Sequence, residues 1–384
     1  MVSEVEIGMR VAIIGCGFVA DYYLQSLPCY PVLELAAVVD RDAARLARFC
    51  GFHRIQPLAR SLDEVLGDPR IELVLNLTNP DSHYVISRAA LEAGKHVYSE
   101  KPLAMALSEA RELCALAKAR GLELASAPSG ILSETAQSLW KALRERVVGE
   151  VRLVYAELDD GLVHRMPYRK WLSDSGTPWP YKDEFEVGCT LEHAGYYVTW
   201  LTAFFGPARG VTAFSSSIYP DKETEVPLER QSPDFSVACI HFASGVTARL
   251  TCSIVAPVDR RIRLFGDRGI LEVADCWNYR EPVRIRRMFN VRRKTIVTPW
   301  TRRYPLPEYR IAGKLPRGAN RMQFARGPAE VAASILERRR SGLPADFCLH
   351  NTEIVLAIQN ALEAHAAYPL TTSFEPLQPP SWAR

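Results

Sequence analysis

The sequence predicts an α/β protein. Its first third folds as a doubly wound parallel sheet, and the remainder is rich in β-hairpins. Three observations predict this. Short apolar runs alternate with amphipathic helical stretches from residue 10 to residue 128, the order that builds parallel βαβ units. The first apolar run enters a glycine turn, Gly15-Cys16-Gly17-Phe18-Val19-Ala20, that fits G-x-G-x-x-G/A. Beyond residue 149, apolar and polar residues alternate along runs joined by short turns.

The totals set bounds. A chain of 384 residues is long enough for two cores. We place a dinucleotide-binding domain at 1–127 and a substrate-binding and oligomerisation domain at 128–384. A net charge of +3 is too small to imply nucleic acid. No apolar run reaches membrane-spanning length, so no membrane partner is expected. The first ten residues carry charges and no apolar core, unlike a signal peptide. The nine cysteines include no C-x-x-C pair. They read as reduced thiols of a cytoplasmic protein, and no metal is expected.

In the first domain, "RVAIIGCGFVA" (10–20) is a buried parallel strand running into the glycine turn. Gly15 makes the tight turn, Gly17 lets the backbone approach a pyrophosphate, and the small Ala20 lets the next helix pack. "LELAAVVD" (33–40) is a second strand ending in Asp40, where an acid binds ribose hydroxyls. That carboxylate repels a 2′-phosphate, so NAD is expected over NADP, although Arg41 next to it offers a phosphate partner. "IELVLNLT" (71–78) is a strand, and 81–94 a helix with Asp81 as its N-cap. "KHVYSE" (95–100) and "LELASAP" (122–128) complete the sheet, with a helix between them. Ligands lie beyond the carboxyl ends of such strands. The cofactor set therefore reads Gly15, Cys16, Gly17, Phe18, Val19, Asp40, Arg41, Thr78, Asn79, His83, Glu100 and Lys101.

With "LTNPDSHYVISRAALEAGKHVYSEKPLA" (77–104) and the glycine turn in hand, the chain resembles the Gfo/Idh/MocA oxidoreductases. The resemblance implies an N-terminal Rossmann domain and a C-terminal α/β domain with a large, mostly antiparallel sheet. It also implies a catalytic lysine in the E-K-P motif, here Lys101, with Pro102 following a cis bond. Physical chemistry agrees with a lysine. A ketone being reduced needs a proton, and a nearby cation stabilises the developing negative charge.

Family members usually carry D-x-x-x-H on a helix in the second half, after a glycine run and with a glycine between. This chain has "LEHAGYY" (191–197). Counting from Gly188 maps the acid to Glu192 and the histidine to Tyr196, four apart on one helical face. A one-residue slip maps His193 and Tyr197 instead and places Gly195 on the family glycine. Downstream spacing favours the first register. Tyr196 then serves as a proton donor, since a phenol of ordinary pKa near ~10 is a poor base and a serviceable acid. Glu192 orients.

The Pro/Trp-rich connection 160–188 is a candidate substrate loop. Its His164, Arg165 and Trp171, with His193, form the substrate set: Arg for an anionic group, aromatics for a sugar ring. "DFSVACIHFASGVTARLTCSIVAP" (234–257) is a hairpin turning at Ser244-Gly245, and 260–273 is another. The basic 280–304 reads as a strand pair with arginine on its edge rather than a nucleic-acid site. Helices are expected at 327–342 and 351–368, followed by a tail. The combined reading is an NAD(H)-dependent oxidoreductase acting at a secondary alcohol or ketone of a sugar, cyclitol or sugar nucleotide. It is expected to be a homodimer or homotetramer through the C-terminal sheet. Two other classes stay open at this point: a glycosidase using NAD for transient oxidation, and a non-catalytic nucleotide-binding regulator.

Overall fold

The computed structural model describes residues 8–55, 61–315, 321–361 and 367–384. Five parallel strands form the first sheet: β1 (Met9–Ile14), β2 (Leu33–Val39), β3 (Leu73–Asn76), β4 (His96–Ser99) and β5 (Leu124–Ser126). Their order is β2-β1-β3-β4-β5. The helices α1 (Ala20–Ser26), α2 (Ala43–His53), α3 (Leu62–Gly67), α4 (Pro80–Glu92) and α5 (Leu107–Arg120) run between them. All four residues of β3 are buried, as expected of a central parallel strand covered on both faces. Helix α4 is capped at Asn79, with Pro80 in its first turn. The expected cap, Asp81, lies inside the helix, because proline suits the first helical position and sets the start one step earlier.

Among the described residues the second sheet has ten strands. They are β6 (Val151–Asp159), β7 (Ala208–Ser216), β8 (Phe235–Phe242), β9 (Thr247–Ser253), β10 (Ile262–Gly266), β11 (Gly269–Val273), β12 (Arg284–Val291), β13 (Lys294–Val297), β14 (Arg302–Arg303) and β15 (Tyr368–Pro369). Among the described residues β6 and β9 pair in parallel and the other pairs of this sheet are antiparallel. Burial alternates along β8 and β9, the signature of a sheet with one covered face. The helices of the second half are α6 (Glu134–Arg144), α7 (Tyr181–Val187), α8 (Gly195–Phe205), α9 (Arg326–Leu336) and α10 (Ala345–Gln359). Part of the expected helix 351–368 falls on residues 362–366, outside the described residues. The C-terminal tail is not loose: Phe374, Leu377 and Ala383 are buried, and Trp382 meets Tyr309 edge to face at 5.0 Å. Among the described residues no helix is long and apolar enough to cross a membrane.

The chain forms two compact units that are not contiguous in sequence. Unit 1 comprises residues 1–127, 167–183 and 310–349; unit 2 comprises 128–166, 184–309 and 350–384. Sequence reasoning placed a single crossing, at 127/128. The two later returns to unit 1 are fixed by specific contacts. Ser175 donates from its backbone N–H and its hydroxyl to Asp21 Oδ2 on α1, at 3.1 and 2.9 Å. In the other returning segment, α9 packs against β2 and β4, and a Cβ at Gly327 would lie 2.3 Å from the Tyr98 hydroxyl.

Candidate active site

The glycine turn is dictated by backbone. Gly15 has φ +99°, and a Cβ there would sit 2.8 Å from the Leu77 carbonyl oxygen. Gly17 meets no such obstacle, its nearest atom being 3.9 Å from the position of a Cβ, so its surface is open to a ligand. Val19 caps α1 without a side-chain bond, leaving the first helical N–H groups without a side-chain acceptor. Phe18 packs edge-on against Tyr22 at 5.7 Å. Cys16 is fully buried. Burial pushes its thiol pKa up, and the Asp40 charge adds to this. Its contribution is therefore its backbone N–H, which donates to Asp40 Oδ2 at 2.8 Å. Asp40 also receives a two-pronged pair of bonds from Arg45, whereas Arg41 is exposed.

The ends of β3 and β4 are held together by buried polar groups. Asn76 donates to the His83 carbonyl and to Ser87 Oγ, both at 3.0 Å, and accepts from the Thr78 hydroxyl at 2.7 Å. Asn79 accepts from Ser82 Oγ at 2.8 Å. His83 is buried, with Nδ1 2.7 Å from the Pro102 carbonyl and Nε2 2.9 Å from the Thr78 carbonyl. It braces two strand ends. Glu100 is buried too. It accepts from the Tyr23 hydroxyl at 2.6 Å and from the Lys101 backbone N–H at 3.0 Å. The Lys101–Pro102 bond is cis. Lys101 stands half-buried beyond the carboxyl end of β4, in the same sheet as the glycine turn.

In unit 2, the "LEHAGYY" stretch is not a plain α-helix. Thr190–Ala194 forms a π-turn that passes into α8 at Gly195. A π-turn accommodates one extra residue, and the residue five positions on, not four, returns over the first. The i, i+4 argument joining Glu192 to Tyr196 therefore does not hold across it. The two sequence registers differ by one residue, the size of this bulge: the Gly188 spacing selects Glu192 and Tyr196, and Gly195 taken as the family glycine selects His193 and Tyr197. Tyr197 is fully buried, its hydroxyl donating to the Arg260 carbonyl, and burial drives its pKa well above the ordinary phenol range. Tyr196 is half-buried, edge-on to Trp277 at 5.5 Å; His193 lies tilted on the same indole at 5.9 Å. Glu192 is buried. The Arg260 guanidinium lies 3.8 Å from the Trp277 ring centre, on a strong cation–π contact.

The substrate set is divided. His164 and Arg165 belong to unit 2, where both meet Tyr219: His164 stacks at 4.5 Å, and the Arg165 guanidinium lies 5.6 Å from the ring centre. Burial, with the Lys222 and Arg165 charges, holds the His164 pKa below its ordinary value, so its ring is neutral near pH 7. Trp171 belongs to unit 1, packed edge-on against Trp179 at 5.1 Å in the segment that clasps α1. Sequence reasoning missed Arg45, Trp277 and Arg260. Arg45 lies five residues past Asp40, in the first turn of α2, and that spacing was the available signal. Nothing in the sequence pairs Trp277 with residue 196.

The features of unit 1 fit a dinucleotide: a glycine turn with open space at Gly17 and an acid at the end of β2. Comparisons agree. The "Oxidoreductase family, NAD-binding Rossmann fold" matches residues 9–127, and the "GFO/IDH/MocA C-terminal domain" matches 136–272. Bovine (Bos taurus) trans-1,2-dihydrobenzene-1,2-diol dehydrogenase is 25% identical over 280 residues, 72% of this chain and 77% of that protein. Among solved structures, aldose–aldose oxidoreductase from Caulobacter crescentus aligns with a TM-score of 0.72 at 20% identity, covering 94% of this chain and 100% of that one. A 3-ketoreductase from Actinomadura kijaniata aligns with 0.68 at 22% identity, covering 92% and 97%. These two show the fold. With both of its domains matched in order, the chain belongs to the Gfo/Idh/MocA family of NAD(P)-binding Rossmann oxidoreductases.

Proposed function

We propose that the protein is an NAD(P)-dependent oxidoreductase acting at a secondary alcohol or ketone of a sugar, cyclitol or sugar nucleotide. The observation that carries this reading is Lys101, half-buried at a strand end of the sheet that bears the glycine cradle. Gly15, Gly17, Asp40 and the α1 N-terminus hold the dinucleotide, which when bound supplies the hydride donor or acceptor. Thr78, Asn79 and Glu100 line or support the strand ends. Lys101 is the main acid/base: its ammonium stabilises negative charge developing on the substrate oxygen and exchanges the proton there. Tyr196 is an assisting proton donor, favoured over Tyr197 because it is half-buried, whereas Tyr197 is fully buried with its hydroxyl on the Arg260 carbonyl. Glu192 is a positioning residue. His164, Arg165, Trp171 and His193 contact substrate. Asp40 favours NAD over NADP.

The proteins named above are a diol dehydrogenase, an aldose–aldose oxidoreductase and a 3-ketoreductase, and this supports a hydroxylated or keto substrate. The nine cysteines are free thiols, which suits a reducing, cytoplasmic setting. The outer hairpin of the second sheet exposes Phe289, Val291 and Ile296, and we take it as a self-association surface, to be checked by light scattering. The functional test is a panel of sugars, cyclitols and sugar nucleotides with NAD and NADP, followed by absorbance of the reduced cofactor and by sugar analysis. Net reduction or oxidation of cofactor on one class is expected. Sugar release without net cofactor change would replace this reading with a glycosidase, and binding without turnover across the panel would replace it with a regulator.

A further inference from the structure

We infer that Arg45 gates the adenosine-ribose end of the dinucleotide site and sets its choice between NAD and NADP. The inference rests on the dinucleotide-binding reading above and concerns a residue outside the glycine motif.

An ionised carboxylate has about four acceptor positions, and in Asp40 all four are taken. Oδ1 accepts from the Asp42 backbone N–H at 2.8 Å and from Arg45 Nη2 at 3.0 Å. Oδ2 accepts from the Cys16 backbone N–H at 2.8 Å and from Arg45 Nε at 3.0 Å. Two of these donors are main chain, fixed by the glycine turn and by the start of α2. The other two belong to one side chain, which can leave. The Asp40 side chain is 4% exposed and that of Arg45 30%, so the guanidinium forms the solvent side of the pair.

A ribose diol can therefore donate to Asp40 only where Arg45 now donates. A 2′-phosphate needs a cation at the same place, and the Arg45 fork suits phosphate oxygens as well as it suits a carboxylate. One side chain thus weighs in opposite senses on the two dinucleotides: it competes with NAD for Asp40 and attracts NADP. The backbone of Arg45 need not move, because Asp42 caps α2 by accepting from the Ala44 and Arg45 N–H groups at 2.9 and 3.0 Å. Arg45, the more exposed partner, is the side of the pair that a ligand meets from solvent. Arg41, exposed beside it, adds positive charge without bonding Asp40.

The test is calorimetric titration of NAD and of NADP into wild type, Arg45→Met and Arg45→Lys, with thermal melts to confirm folding. Arg45→Met keeps the apolar stem and removes the fork. It should bind NAD roughly fivefold tighter and NADP at least about tenfold more weakly. Arg45→Lys retains the charge and should hold NADP affinity between those of wild type and Arg45→Met. If wild type binds a dinucleotide and Arg45→Met changes both affinities less than twofold, or weakens NAD, the gate is wrong while the functional reading stands. If wild type binds neither dinucleotide, the functional reading falls and the gate with it.

Discussion

The glycine turn after β1 and the π-turn before α8 each bring candidate site groups to the end of an element, and they differ in what fixes the placement. At Gly15 the backbone decides: φ is +99°, and the Leu77 carbonyl fills the space of a side chain. The groups offered to a ligand there are N–H donors, the same whatever residues stand between the glycines. At Thr190–Ala194 the groups are side chains, and one extra residue decides which of them faces where. A backbone site survives substitution around it and stays readable. A side-chain site is only as readable as its register.

The sharpest way to break this comparison is a pair of hydroxyl deletions. Tyr196→Phe should lower turnover roughly a hundredfold, as for loss of a general acid, with an unchanged melting temperature. Tyr197→Phe removes the bond to the part-buried Arg260 carbonyl and should cost about 1 kcal/mol of stability, with normal turnover in the folded fraction. Steady-state kinetics beside thermal melts read both. The reverse outcome would move the acid to Tyr197 and restore the slipped register.

A second pair sharpens the other side. Gly15→Ala forces a side chain into positive φ against Leu77 and should cost about 1–3 kcal/mol, together with dinucleotide binding. Gly17→Ala has room in the fold and should melt like wild type while binding the dinucleotide more weakly. Equal melts for the two variants would mean that the backbone argument at Gly15 is wrong.

A smaller effect lies in the pH dependence of unit 2. His350 Nε2 accepts from the Ala208 N–H at 3.0 Å, and its Nδ1 faces Thr372 Oγ1 at 2.9 Å, so the ring must be neutral to serve both. Burial lowers its pKa to about 4 from the usual 6.5. The unfolded chain thus takes up a proton first as pH falls. Stability from this group is complete above pH 6.5 and is lost between there and 4, at about 1.4 kcal/mol per pH unit within the window. Denaturant melts of wild type and His350→Asn at pH 7.5, 6.5 and 5.5 should converge as pH falls. Parallel curves would show that His350 is not the titrating group.

The sequence made the nucleotide half legible because its signals are local. The glycines, Asp40 and Lys101 each sit at a strand end that apolar periodicity locates. The hairpins at 234–257 and 260–273 were legible for the same reason. The discontinuous units were not: Ser175 bonds Asp21 across more than a hundred residues, and no local pattern announces such a clasp. The π-turn was hidden because a bulge of one residue and an alignment slip of one residue look alike in sequence. Arg45 was hidden because it offers no motif, only a charge one turn beyond an acid.

Lys101→Met tests the central claim most directly, with turnover on the substrate found in the panel measured beside calorimetric NAD and NADP affinity. The variant removes the ammonium and leaves the cradle of Gly15, Gly17 and Asp40 intact. An acid/base role for Lys101 predicts turnover reduced roughly a hundredfold or more with dinucleotide affinity within about twofold of wild type. Near-normal turnover would contradict it and place the chemistry elsewhere in the chain.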